Sequence, residues 1–185
     1  MIDEGEVQAI SGRFGQPRRE QYDLPIGEQL FLTRFRRYGD RRGEVVFALE
    51  RPDGRVLLHR KAHYRNGVFR LLSGGVGLQE PVLDALTREV GEETGLQVQI
   101  QSFLAVLSYR LAFEEIVVPF VSYLFHLKEV GGFPRLDQDE VEQVIAVWPQ
   151  ELPAVAVRLR DIPGERSYWG RWRAIAHDVV AEALG

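Results

Sequence analysis

The chain has no cysteine, which excludes disulfides, thiolate zinc sites and a cysteine nucleophile. It has no apolar run approaching the roughly 18 residues of a membrane-spanning helix. Its first residues, Met-Ile-Asp-Glu-Gly-Glu, lack the basic and apolar regions of a secretory signal. The cytoplasm is the expected compartment, and no membrane partner is expected. Lysine is also scarce: Lys61 and Lys128 are the only lysines among 23 basic residues, and the net charge is −4. That balance argues against duplex nucleic acid as a partner, since phosphate backbones select basic surfaces. His59, His63, His126 and His177 show no metal-ligand spacing. No internal repeat or low-complexity tract is present.

What remains is ordinary for a globular protein, with 45% hydrophobic and 27% charged residues over a length of 185. One main domain over residues 44–185 with an N-terminal extension over 1–43 is the simplest division. Residues 1 to 28 read as an irregular polar arm, and Leu30 to Phe35 as an edge strand. β-rich runs at Gly43 to Glu50 and Arg55 to Arg60 flank Arg51-Pro52-Asp53-Gly54, a hairpin signal. Val68 to Leu72, Gln97 to Ile100, Phe103 to Arg110, Ile116 to Leu127 and Val144 to Trp148 read as further strands. Tyr168 to Leu184 carries an apolar stripe of helical period. This order predicts an α/β fold with a mixed sheet.

The most informative stretch runs from Gly74 to Leu96. It reads as a glycine loop, a helix of about four turns opened by Pro81, and a stop at Gly95. Glu89, Glu92 and Glu93 are spaced i, i+3, i+4. At about 100° per residue they share one wedge of the helix roughly 100° wide. Like charges at this spacing repel, and a hard divalent cation with oxygen ligands would offset the repulsion. An ordinary solvated acidic face is the alternative. Leu83, Leu86 and Val90 form the apolar stripe, and Arg88 flanks Glu92. Gly91 interrupts the helix, which close packing at that position would explain.

Gly74, five residues, Glu80, seven residues, Arg88-Glu89-Val90, one residue, Glu92-Glu93, one residue, Gly95-Leu96 fits every fixed position of the Nudix box. The chain therefore resembles the Nudix hydrolases. The resemblance implies an α/β/α sandwich with the box helix and the C-terminal helix on opposite faces. It also implies metal-dependent cleavage of a pyrophosphate linkage in a nucleoside diphosphate joined to another group. Mg2+ or Mn2+ would be the cofactor, and a small nucleotide-type molecule the partner. By position, Glu89, Glu92 and Glu93 would be metal ligands, with the carbonyl of Ser73 or Gly74 contributing. Glu80 and Arg88 would orient the loop and helix. The sequence departs from the common pattern at Leu72-Ser73 and at Gly77, an often acidic position.

The general base does not transfer by position. Glu92 and Glu93 are the candidates within the box. Outside it, Glu114 and Glu115 fall in a strand-linking loop, and Asp139, Glu140 and Glu142 precede a strand. The basic aromatic run from Arg34 to Arg42 would clamp phosphate through its arginines, Arg36 among them, and stack a base on Phe35 or Tyr38. Arg60 and Arg70 flank the strand entering the glycine loop and are further substrate-binding candidates. Two rival functions stand beside hydrolysis of a small molecule: a ligand-binding module without turnover, and an RNA 5′-end pyrophosphohydrolase. Leu30, Phe31, Leu32 and Phe35 need a partner surface, which a twofold homodimer or the same chain would supply.

Overall fold

A computed structural model describes residues 2–35, 41–61, 64, 67–134 and 141–185, with the backbone alone at 34, 141 and 142. Its elements are α1 (Glu4–Phe14), β1 (Arg18–Pro25), α2 (Glu28–Leu30), β2 (Arg41–Glu50), β3 (Val56–Lys61), β4 (Arg70–Gly77), α3 (Val82–Thr94), β5 (Leu96–Phe113), β6 (Ile116–Gly132), β7 (Val141–Val147), α4 (Leu152–Arg160) and α5 (Arg166–Leu184). A π-helical turn over Phe31–Phe35 follows α2.

The strands form one mixed sheet in the order β1-β5-β6-β2-β4-β3-β7. β1 runs parallel to β5 and β2 parallel to β6, while the other pairs are antiparallel. Alternate residues of the central strands feed two separate cores, as the two-residue period of a strand requires. Val45, Phe47 and Leu49 pack with Leu72, Val82, Leu86 and Val90 under α3, and Val7 and Ile10 of α1 join them. Val46 and Ala48 face the other way, toward Leu152, Leu159, Trp172, Ile175 and Val179 of α4 and α5. The result is an α/β/α sandwich with α3 and α5 on opposite faces.

The hairpin at Pro52–Gly54 is where the sequence predicts it, with Glu50 paired to Val56. The N-terminal reading needs correction. Residues 4–14 are helical rather than irregular, because Asp3 caps the helix by accepting from the Glu6 N–H and Val7 and Ile10 find a core. Residues 18–25 are a sheet strand. Leu30 to Phe35 is helical, not an edge strand. Leu30 is buried, Phe31 stacks on Phe113, and Phe35 meets Phe120 and Trp172. The same chain thus covers Leu30, Phe31 and Phe35 of the residues that suggested a dimer, while Leu32 stays 36% exposed. Among the described residues, no helix is long and apolar enough to cross a membrane.

Candidate active site

α3 begins one residue later than the sequence reading, with Pro81 as the extended cap residue. It stops at Gly95, whose φ of 66° is the left-handed conformation glycine adopts without strain. Val82, Ala85, Leu86 and Val90 are buried along one stripe. With that stripe buried, Glu92 stays open to solvent, while the side chains of Glu89 and Glu93 are mostly buried.

Gly74 and Gly75 are successive residues of a strand, so they make room on opposite faces. A Cβ on Gly74 would lie 1.7 Å from the Glu89 carboxyl carbon. A Cβ on Gly75 would lie 2.7 Å from the Arg41 side chain. The glycines therefore let a carboxylate press on one side of β4 and a guanidinium on the other.

Arg88 organises the acidic wedge. Its Nε donates to Glu80 Oε1 at 2.8 Å and its Nη2 to Glu80 Oε2 at 3.0 Å. Its Nη1 donates to Glu89 at 2.7 Å and to Glu92 at 3.0 Å, and its Nη2 reaches the Gly75 carbonyl at 2.9 Å. Glu80 also accepts the Gly77 N–H at 2.9 Å, closing the turn before α3. The hydrogen bond from Arg88, helped by the Gly77 N–H, holds the Glu80 carboxyl below its ordinary pKa. Arg88 is pushed above its own range, first by Glu80 and then by Glu89.

Glu93 is 6% exposed and Glu92 has 58% of its side chain in solvent, so adjacent residues offer one sheltered and one open carboxylate. Glu93 Oε1 lies 3.7 Å from Lys61 Nζ and 3.9 Å from His59 Nδ1. Burial, followed by the charge of Arg70, lowers the His59 pKa well below the ordinary value and keeps the imidazole neutral. Lys61 is then a cationic neighbour of Glu93. Glu89, Glu92 and Glu93 supply hard carboxylate oxygens of the kind that suit Mg2+ or Mn2+. The carboxylates do not converge into a coordination sphere, since Arg88 grips two of them; among the described residues no group of three or more acidic, histidine or cysteine side chains does so.

On the far side of β4, Arg41 lines a cleft of about 70 Å³ together with Glu44, Val118, Phe120, Trp172 and Phe35. The rings of Phe35, Phe120 and Trp172 meet at 5.3 to 5.8 Å. Beneath them Arg173 Nη1 binds both oxygens of Glu44 at 2.7 and 2.8 Å, and Ser122 donates to the same carboxylate at 2.7 Å. His177 Nε2 accepts the Leu71 N–H at 3.0 Å, and its Nδ1 donates to the Arg173 carbonyl at 2.9 Å. This is the neutral tautomer, and burial lowers its pKa to about 3.

The remaining candidates are dispersed. Arg70 is buried and turned inward, bonded to the Tyr64 hydroxyl, the Leu71 carbonyl and Ser73 Oγ; it braces the strand rather than facing a ligand. Arg60 is half-buried on β3 opposite Gln143 of β7. Glu114 and Glu115 are exposed at the tip of the β5–β6 hairpin. That tip projects beyond the first β2–β6 pair, Glu44–Ser122. Arg36, Tyr38, Asp139 and Glu140 lie outside the described residues, as does the side chain of Glu142. Gly91 is exposed, with nothing within 4 Å of a built Cβ, so no close packing explains it. The sequence reading missed Glu6, Glu44 and Phe120, whereas Arg41 and Arg42 end the basic run that it singled out.

The family profile described as the NUDIX domain matches residues 40–168. A MutT-like protein of Streptomyces ambofaciens is 30% identical over 137 residues, 69% of this chain and 83% of the relative. An ADP-ribose pyrophosphatase of Methanocaldococcus jannaschii is 29% identical over 123 residues, 66% of this chain and 72% of the relative. The solved structure of a MutT NUDIX hydrolase from Burkholderia pseudomallei superposes with a TM-score of 0.50 at 25% identity, covering 75% of this chain and 97% of that one.

Proposed function

The chain belongs to the NUDIX family, whose enzymes hydrolyse phosphoanhydride bonds with divalent metal ions, and on that premise we propose that it cleaves the pyrophosphate linkage of a small nucleoside diphosphate derivative with Mg2+ or Mn2+. The observation that carries this reading is the Gly74-Gly75 pair. It seats the Glu89 carboxylate on one face of β4 and Arg41, at the mouth of an aromatic cleft, on the other.

Glu89, Glu92 and Glu93 hold the cation in this reading, and a carbonyl of Ser73 or Gly74 adds a ligand. Such an ion neutralises phosphate charge and acidifies the attacking water. Arg88 and Glu80 fix the spacing of the carboxylates. Arg41 draws a phosphate toward Gly75, and half-buried Phe35 and Phe120, backed by buried Trp172, offer edges and faces on which a base stacks. Proton acceptance falls to Glu92 or Glu93, which differ in exposure. The ADP-ribose hydrolase among the relatives and the aromatic cleft both support a nucleotide substrate.

A panel of nucleoside triphosphates, nucleotide sugars, ADP-ribose, dinucleoside polyphosphates and a 5′-triphosphate RNA, each with Mg2+ or Mn2+, tests the proposal. Metal-dependent release of a nucleoside monophosphate from a small substrate is expected. Binding without turnover across the panel, or turnover of the RNA alone, would replace the reading.

A further inference from the structure

The first N–H groups of a helix have no partner within it and need acceptors from elsewhere. Pro81 supplies no side-chain cap to α3. The Val82 N–H instead donates to Glu6 Oε1 of α1 at 2.6 Å, across 76 positions of sequence. The other carboxylate oxygen, Glu6 Oε2, accepts from Arg42 Nη2 at 2.6 Å. Arg42 also donates to the Glu80 carbonyl, at 2.7 Å from Nη2 and 3.3 Å from Nε. The Glu80 carboxylate binds Arg88, and Arg88 binds Glu89 and Glu92. The side chains of Glu6 and Arg42 are mostly buried. A carboxylate at a helix start is favoured further by the helix dipole. Val7 and Ile10 fix α1 in the core that holds Val82, Ala85 and Leu86.

We propose that Glu6 is a positioning residue for the metal site. α1 lies outside the stretch matched by the family profile, residues 40–168, yet it pins the first turn of α3. Through Arg42, Glu80 and Arg88 it sets where Glu89 and Glu92 stand. The inference rests on the proposed metal site. Without the Glu6 carboxylate the Val82 N–H loses its acceptor and Arg42 loses its counter-charge, so the turn from Gly77 to Pro81 loosens. The body of α3, held by its buried stripe, stays in place. Metal affinity falls while the fold persists.

Mn2+ binding to the full chain without substrate, read from the paramagnetic resonance signal of free Mn2+, tests this. The samples are the wild type, Glu6→Ala, Glu6→Gln and Glu4→Ala, each with its thermal unfolding recorded. Glu4 belongs to the same helix but, among the described residues, pairs with exposed Arg19 and not with the α3 network. Outer-shell partners of metal ligands typically change affinity about 10- to 100-fold, and Glu6, one step further out, is expected to cost on the order of five- to tenfold when replaced by alanine. Glu6→Gln keeps an acceptor for Val82 but no charge for Arg42, and is expected to cost about twofold. Glu4→Ala should bind as the wild type does. On a hydrolysed substrate, excess Mn2+ should restore kcat of Glu6→Ala with KM unchanged. Wild-type Mn2+ affinity in Glu6→Ala overturns the proposal, as does equal weakening in Glu4→Ala. If Glu6→Ala fails to fold, unaltered affinity in Glu6→Gln overturns it. No Mn2+ binding by the wild type would instead remove the metal site on which the inference stands.

Discussion

Arg88 has one side chain and four acceptors, in Glu80, Glu89, Glu92 and the Gly75 carbonyl. Its neighbours consequently differ in role although they look alike in sequence. Both Glu80 oxygens are occupied by Arg88 and Gly77, whereas Glu89 is pressed against Gly74 with one oxygen on Arg88. Glu80→Gln should therefore loosen the turn and cost less activity than Glu89→Gln. Equal losses, with metal affinity untouched in both, would show the division to be wrong. Gly74→Ala probes the same contact from the strand. The clash is with a flexible side chain, so thermal unfolding should shift little, while Mn2+ affinity should fall by an order of magnitude or more as Glu89 is displaced. Unchanged Mn2+ binding in that variant would place the cation elsewhere.

Two helices carry the consequences at the next scale. In α3, Gly91 is exposed and has room for a side chain, and its conformation is helical. Gly91→Ala should raise stability by roughly 0.5–1 kcal/mol, measured by denaturant unfolding, because it removes unfolded-state freedom without a clash. Destabilisation would mean that the position serves a contact made only with ligand. In α5, His177 bridges the Leu71 N–H and the Arg173 carbonyl as a neutral ring with a pKa of about 3. Its folded pKa lies below the unfolded value, so as pH falls from about 6.5 toward 3 the unfolded chain takes a proton that the folded one refuses. Stability should drop through that window by up to about 1.4 kcal/mol per unit from this group. His177→Gln should remove that share of the slope even if it lowers stability overall. An unchanged slope would mean that the ring is already charged in the fold.

Over the whole molecule, sequence legibility followed the range of the interactions. The box helix, its glycine stop and the hairpin at Pro52–Gly54 rest on local rules of capping and turn chemistry, and they were readable. α1 was not, since its two core anchors, Val7 and Ile10, matter only once α3, which starts at Val82, offers a surface far along the chain. Leu30 to Phe35 looked like a strand because apolar residues run together there; the ring contacts with Phe113, Phe120 and Trp172 decided for a helical turn. Arg70 looked ready for a ligand, but it is buried, with its Nε and Nη1 donating to Tyr64, Leu71 and Ser73. Likewise the aromatic cleft draws on α5, β6 and the π-helical turn, which no spacing rule joins.

The central claim is that hydrolysis depends on a cation held by Glu89, Glu92 and Glu93. The most direct measurement is turnover of one accepted nucleotide substrate by chelator-treated protein as Mg2+ is returned, run beside Glu92→Gln and Glu93→Gln at the same metal concentration. The account predicts activity only after Mg2+ is added, and a loss of about two orders of magnitude or more in each variant, or some 3 kcal/mol of transition-state stabilisation. Turnover undiminished in chelator, or near wild type in both variants, would contradict it.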